Sequence, residues 1–177
     1  MTGVLLAYRA FDSLLESVVL VLALAGLWSF ALDRDWGGRP GPRRFPRSEG
    51  ALGFLAQLLT PVGIIVGVHL VWTGANEPGG AFQGGTILAA MWIVVLIAGL
   101  ADAPLASGRW LRVALVGGPA LFLAIGIAGF ALADAFLAYP RGYAKPLILI
   151  IEAGLTLSIA VALALLAAGP PQRRPQP

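Results

Sequence analysis

Five apolar runs, separated by polar or glycine-rich segments, dominate the pattern of hydrophobic and polar positions along the chain. The first runs roughly from Asp12 to Leu32, the second from Leu52 to Trp72, and the third from a glycine-rich segment to about Leu100. The fourth ends near Asp134, and the fifth covers roughly Leu147 to Ala168. A helix that crosses a bilayer needs about 20 predominantly apolar residues. The pattern therefore predicts an all-α polytopic membrane protein with about five transmembrane helices.

The composition supports this fold class. Of the 177 residues, 58% are hydrophobic and only 12% are charged, which is more apolar surface than a soluble domain can bury. The chain has no cysteine, so it can form neither a disulfide nor a thiolate metal site. No hydrolase, kinase, nucleotide-binding or metalloenzyme pattern is present, and we predict neither an enzyme nor a cofactor. The first thirty residues lack a basic stretch ahead of their apolar run, so we expect no cleaved signal peptide.

The segment at 33–50, DRDWGGRPGPRRFPRSEG, is the one clear linker. Its prolines and glycines argue against regular structure, and Ser48 is a candidate N-cap for the following helix. Its five arginines indicate the cytoplasmic side, with anchoring at anionic lipid rather than at nucleic acid as the expected role.

The orientation follows from counting basic residues on each side of the bilayer. If the linker is cytoplasmic, nine basic residues lie on the inner face and three on the outer face. The inner nine are Arg34, Arg39, Arg43, Arg44, Arg47, Arg109, Arg112, Arg173 and Arg174, and the outer three are Arg9, Arg141 and Lys145. We therefore predict an outer N-terminus and a cytoplasmic C-terminus.

A glycine-rich box, GANEPGGAFQGG at 74–85, is the least bilayer-like stretch between the second and third spans. Each glycine in a helix interior costs about 1 kcal/mol and each proline about 3 kcal/mol. One interpretation is a tight extramembrane turn whose glycines let the third helix pack closely; the other is a specific functional contact. Glu77 would accept amide hydrogen bonds at the start of the third helix, in preference to a role in ion transport. The box residues of interest are Asn76, Glu77, Pro78, Gly79, Gly80, Phe82, Gly84 and Gly85.

The second span carries further packing signals. Thr60-Pro61 predicts a kink, and Gly63 with Gly67 forms a GxxxG step suited to close helix contact. His69 is the only histidine and is either an interhelical hydrogen-bonding group or part of a proton path. A metal site at His69 is not expected, since no second histidine exists to share the ligand set.

Carboxylates inside or near the spans are the other candidates for an ion or proton path, because a charge at the centre of a span costs about 2.5–3.5 kcal/mol or more. Glu152 is the strongest of them; it could carry protons or pair with Lys145, about two turns earlier. Asp12 and Glu16 lie one turn apart near the start of the first span, either at headgroup level or in a functional position. Asp134, at the end of the fourth span, could pair with Arg141.

The order Pro78-Gly79-Gly80, then Phe82, then Gly84-Gly85, opening a transmembrane helix, resembles the B subunit of Mrp-type multisubunit cation/proton antiporters, the MnhB family. Related boxes occur in the membrane arms of membrane-bound hydrogenases. The stretch LIIEAGL around Glu152 resembles the acidic element in the last helix of the same family. The resemblance covers roughly residues 53 to 168 and implies a four-helix membrane domain at 51–169, followed by a polar tail at 170–177.

The N-terminal segment resembles a different subunit. Its stretch YRAFDSLLE, which ends at Glu16, is similar to the C-terminal part of the antiporters' large A subunit and to small E-type hydrogenase subunits. This implies that residues 1–32 form a transmembrane helix fused to the B-type domain.

The resemblance implies a non-catalytic subunit of a Na⁺ or K⁺/proton antiporter in the cell (inner) membrane. Its expected partners are A/D-like, C-like and small E/F/G-like subunits, together with the lipid bilayer. One alternative is the equivalent module in the membrane arm of a complex-I-like redox complex, and another is a purely structural protein or small autonomous channel. The absence of an internal repeat argues against an autonomous transporter.

Overall fold

A computed structural model describes residues 2–41, 50–74, 78–133, 135–139 and 142–173. Its helices are α1 (Thr2–Ser29), α2 (Ala51–Thr73), α3 (Ala81–Ile97), α4 (Arg109–Ala133) and α5 (Ala144–Ala168). Four of them are long and apolar enough to cross a membrane, and α3 is a shorter apolar helix of 17 residues. The prediction of an all-α polytopic membrane protein is confirmed.

The first helix begins earlier than the apolar pattern indicates. It starts at Thr2 rather than near Asp12, although the stretch suited to a membrane begins at Phe11. No proline interrupts the first 29 residues, and alanine and leucine, both strong helix formers, are frequent there. Hydropathy shows where the apolar part of a helix starts. The helix itself can begin several residues earlier, as it does here.

Helix α5 lies at the centre of the bundle and packs against α1, α3 and α4, whereas α2 packs mainly against α3. As a result, 61% of the apolar window of α5 is buried, compared with 17% for α2. One core cluster contains Ala81, Phe122, Leu137, Ile151, Leu155 and Ile159. A second, nearer the C-terminal end of α5, contains Leu24, Leu111, Leu115, Val161, Ala162 and Leu165.

The prediction that the linker lacks regular structure is wrong. A 3₁₀ turn covers Asp33–Asp35, and a two-residue strand, β1 (Arg39–Pro40), pairs antiparallel with β2 (Pro171–Gln172) in the C-terminal tail. The ladder tolerates two prolines because each strand is only two residues long and has a free edge.

The predicted cap of α2 falls on a different residue. The N-cap position is Gly50, which makes no side-chain capping bond, and Ser48 lies outside the described residues. Pro61 lies within α2 as expected, and the Thr60 hydroxyl donates to the Ala56 carbonyl at 2.6 Å. The kink itself stays a prediction.

A hydroxyl from α5 makes two hydrogen bonds to the backbone of α4. Ser158 Oγ accepts a hydrogen bond from the Gly118 amide at 3.0 Å and donates one to the Ala114 carbonyl at 2.7 Å. In a regular helix these two backbone groups would bond each other. These contacts lie directly before Pro119, whose nitrogen has no hydrogen to donate. Ser158 therefore joins the two helices next to the proline of α4.

We expect Ser158→Ala to lower the free energy of unfolding by about 1 kcal/mol, because two interhelical hydrogen bonds are lost. Thermal unfolding of the chain in lipid nanodiscs measures the effect. Ser29→Ala is the matched control, since the exposed Ser29 hydroxyl bonds only to Gly26 of its own helix. Equal unfolding midpoints for both variants would contradict the bridging role.

Candidate functional site

The glycines of α2 and α3 form a contact that admits no side chain. A Cβ on Gly84 would lie 2.8 Å from the Gly67 carbonyl oxygen and 2.5 Å from Val71 Cγ2. A Cβ on Gly67 would lie 3.0 Å from Leu88 Cδ2, and one on Gly63 would overlap Met91. The prediction that the GxxxG step on α2 is a close helix contact is confirmed.

The first half of the glycine box closes the turn between α2 and α3. The amides of Gly74 and Gly80 both donate to the Leu70 carbonyl, at 3.1 and 3.0 Å. Gly79 and Gly80 have φ angles of 154° and 135°, a region that side chains rarely adopt. A Cβ on Gly79 would also lie 2.5 Å from the Leu70 carbonyl oxygen. This part of the box needs glycine for its backbone conformation, as the tight-turn interpretation predicts.

The second half of the box packs α3 against α5. A Cβ on Gly85 would lie 2.8 Å from Ile159 Cγ2 and 3.1 Å from the Thr156 carbonyl oxygen. Ala81 is fully buried in the cluster with Ile151 and Leu155, and Phe82 packs against the same cluster. The box therefore lies beside the turns of α5 that include Glu152.

Pro78 is exposed, whereas Asn76 and Glu77 fall outside the described residues. The role expected for Glu77 stays a prediction.

Several buried polar side chains occur on α1 and α5. In the described part of the chain, the buried polar residues are Ser13 and Ser17 on α1 and Glu152, Thr156 and Ser158 on α5. Glu152 is only 2% exposed. The Thr156 hydroxyl donates to the backbone carbonyl oxygen of Glu152 at 2.7 Å. Ser17 Oγ is buried and has no hydrogen-bond partner among the described residues.

Aromatic rings close the core around this part of the bundle. Phe122 is fully buried beside Ile151 and Leu155, and its ring packs edge-on against Phe11, with centroids 5.4 Å apart. Phe136, in the loop after α4, lies 5.9 Å from Phe11. These rings therefore join α1, α4 and the loop after α4 beside the core cluster that contains Ile151 and Leu155.

Tyr139 lies in the loop before α5 and packs against the same cluster. Burial raises the pKa of its hydroxyl, so Tyr139 stays protonated near neutral pH. The hydroxyl has no hydrogen-bond partner among the described residues. The sequence did not single out Tyr139 as a candidate.

The other candidates lie at the surface of the bundle. Lys145 is exposed in the first turn of α5, and among the described residues it makes no ion pair with Glu152. His69 and Asp12 are exposed on α2 and α1, and Glu16 is half-buried. Asp134, like Arg141, lies outside the described residues. The structure thus places Glu152 in the core and does not bring the other described candidates to it.

The sequence did not single out Ser13, Ser17, Thr156 or Ser158. Their signal is the four-residue spacing of Ser13 with Ser17 and of Glu152 with Thr156, which places each pair on one helix face. In the described parts of the chain, no group of three or more His, Cys, Asp or Glu side chains could hold a metal ion.

One comparison with known proteins finds a family whose model covers helices α2 to α5. A family model described as a domain related to the MnhB subunit of Na⁺/H⁺ antiporter matches residues 51–169, more than half of the chain. The match begins with α2 and ends just after α5, so α1 and the linker lie outside it. No curated protein and no solved structure matches.

We expect Gly84→Ala to lower the free energy of unfolding by about 2 kcal/mol and Gly84→Leu to prevent close packing of α2 and α3. Even alanine meets a backbone oxygen, which cannot rotate away as a side chain can. Gly117→Ala is the matched control, because a Cβ on this helical glycine of α4 has no neighbour within 4 Å. Folding yield and thermal unfolding in nanodiscs measure both. If Gly84→Leu behaved like Gly117→Ala, the box would be only a loop.

Proposed function

The chain belongs to the family of domains related to the MnhB subunit of Na⁺/H⁺ antiporters, and on this basis we propose that it is a non-catalytic membrane subunit of a multisubunit Mrp-type antiporter. Such a complex exchanges a monovalent cation, Na⁺ or K⁺, for protons. The chain supplies helix contacts and one proton-exchanging group. The observation that carries this proposal is the burial of Glu152 in the core of the bundle.

A carboxyl enclosed by apolar helices is suited to exchanging protons. A carboxylic acid both binds and releases a proton, and an ionisable side chain inside a membrane bundle is usually retained for a function. A pair with Lys145 is the alternative reason to retain the group. The exposure of Lys145 at the first turn of α5 argues against that particular pair.

The positions of the buried hydroxyls indicate a route for the proton. Ser13 and Ser17 lie one turn apart on α1, which packs against α5, and a hydroxyl can both donate and accept a proton. Thr156 lies one turn beyond Glu152 on α5. We infer that a proton reaching Glu152 travels along the seam between α1 and α5.

The outer faces of the bundle support membership in a larger complex. Helix α2 packs mainly on α3, and the rest of its surface presents large apolar side chains together with His69. An ionisable group on a lipid-facing helix surface is costly, so we assign His69 to a hydrogen bond with a helix of a neighbouring subunit. In the same way, we assign Asp12 and Glu16 on α1 to contacts with a neighbouring subunit. The partners proposed are the A/D-like, C-like and small E/F/G-like subunits.

The proposed location is the cell (inner) membrane, with the N-terminus outside and the C-terminus in the cytoplasm. Supporting this orientation, the linker, the α3–α4 loop and the C-terminal tail meet at one end of the bundle. That end carries Arg34, Arg39, Arg112 and Arg173.

We expect Glu152→Gln to leave assembly intact but to reduce cation-driven proton movement by about tenfold or more, because glutamine keeps the shape and cannot exchange a proton. Dye-reported pH change in everted vesicles that contain the complex measures it. Asp33→Asn is the matched control, since it removes one carboxylate from the exposed linker and should change nothing.

Two results would contradict this role for Glu152. Wild-type exchange together with wild-type assembly in Glu152→Gln would show that the carboxyl is dispensable. Impaired assembly that is partly restored by adding Lys145→Gln would show a structural ion pair instead.

A further inference from the structure

We propose that two copies of this chain associate through an antiparallel contact between α1 of one copy and α2 of the other, in which His69 meets the carboxylates of α1. This inference deepens the assignment of His69, Asp12 and Glu16 to a neighbouring subunit and rests on that part of the proposed function. It depends neither on cation exchange nor on Glu152. Two exposed helix faces carry it, because their shape and charge match at a similar depth in the membrane.

The exposed face of α2 has the periodicity of a helix-pairing surface. Its side chains recur at alternating intervals of four and three residues, and this α2 stripe consists of Leu58, Val62, Ile65, His69 and Trp72. The four apolar members are each more than half exposed, and His69 is exposed as well. Such spacing lines up side chains that pack between those of a facing helix. The stripe lies on the side of α2 away from the glycines that contact α3.

Helix α1 presents a stripe with the same spacing but with smaller side chains in its second half. This α1 stripe consists of Asp12, Glu16, Val19, Ala23 and Gly26. Glu16 is half-buried and the other four are exposed. A Cβ on Gly26 would have no neighbour within 4 Å. Small residues on a membrane helix let a facing helix approach closely, so the second half of the α1 stripe has room for large side chains.

The acidic part of the α1 stripe and His69 lie at the same end of the bundle. The linker joins the other ends of α1 and α2, so the two membrane-spanning helices run in opposite directions. Glu16 lies five residues inside the start of the apolar stretch of α1 at Phe11, and His69 lies four residues before the end of α2 at Thr73. At about 1.5 Å per residue, both are about 6–8 Å from that end. Two copies inserted the same way therefore bring these groups to one level.

One antiparallel alignment of the two stripes matches their shapes. With Val19 opposite Val62, the small Ala23 faces the larger Leu58. The open surface at Gly26 lies beyond this pair, toward the start of α2. Large side chains on one helix thus enter the space left by small ones on the other, as close packing in a bilayer requires.

The same alignment matches the charges. It sets His69 opposite Asp12, with Glu16 one turn further along α1. Among the described residues, none of these three side chains makes an ion pair. An ionisable group on a helix surface inside the membrane is costly unless a partner faces it. A histidine facing two carboxylates supplies that partner in both directions and favours this pairing over a purely apolar one.

The two stripes have to meet between copies rather than within one. The main packing partners of α1 are α5 and α4, and those of α2 are α3 and, to a lesser extent, α5. In the described part of the chain, no extended contact joins α1 to α2. The contact uses different faces of the two copies, so it is a heterologous one.

Disulfide crosslinking in the native membrane tests the contact, because the chain has no cysteine of its own. One copy carries Val19→Cys and one tag, and a co-expressed copy carries Val62→Cys and a second tag. Both positions lie near the middle of their membrane stretches. We expect about tenfold more disulfide between the two tags than in a matched control that pairs Val62→Cys with Leu123→Cys. Leu123 is exposed at a similar depth on α4.

Charge variants in opposite copies then test the pairing of His69. His69→Glu in the Val62→Cys copy should lower the disulfide yield about fivefold, because like charges then face each other. Asp12→Lys in the Val19→Cys copy should also lower it, which tests the same pair from the other side. Combining the two variants should restore most of the yield. The membrane level of each variant is measured alongside, so that a folding defect is recognised.

Three results would overturn the proposal. The first is a disulfide yield no higher than in the Leu123→Cys control. The second is a yield that both single charge variants leave unchanged, and the third is a loss in both that their combination does not restore.

A photo-crosslinker separates a second copy from other occupants of the α2 stripe. A benzoylphenylalanine replaces Ile65 in the chain within its own membrane, and we expect adducts that contain both tags. Adducts solely with a different protein or with lipid would overturn the assignment to a second copy.

Co-purification distinguishes a failure of this contact from a failure of the proposed function. Antiporter subunits that co-purify with the chain in the absence of the disulfide between tags would remove the contact and leave the proposed function in place. The disulfide without any other subunit would support the contact and contradict the proposed function.

Discussion

Close backbone contact with α5 is the constraint on which the rest of the structure depends. Between helices in a bilayer, packing of small residues has to supply the attraction that water exclusion supplies in soluble proteins. Gly85 brings α3 onto Ile159, and a Cβ on Gly118 of α4 would lie 2.5 Å from the Gly154 carbonyl oxygen. With α1 packed on a further face, α5 becomes the enclosed helix.

The enclosure explains why Glu152 differs from the other ionisable side chains. The glycine box, the aromatic rings and α1 surround the turns on either side of it, so the carboxyl lies in protein rather than in lipid. Buried hydroxyls on α1 and α5 accompany it. The same close packing that holds the bundle together therefore creates the polar seam that we propose as a proton path.

The sequence predicted the apolar helices, the close contact at Gly63 and Gly67, and the turn at Gly79 and Gly80, because each depends on local composition. It did not predict the pairing of Arg39–Pro40 with Pro171–Gln172, since a two-residue ladder between distant segments leaves no periodic signal. It singled out Glu152 because placing a charged carboxyl inside an apolar helix costs free energy. It did not reveal the exposure of Lys145 or the bridge made by Ser158, because both depend on which helix faces which.

Infrared difference spectroscopy of the purified complex, recorded between high and low concentrations of the transported cation, tests most directly whether Glu152 exchanges protons. If it does, the difference spectrum contains a carboxyl C=O band that is missing in Glu152→Gln and present in Asp33→Asn. Identical carboxyl bands in the wild type and in Glu152→Gln would contradict a proton path through this residue.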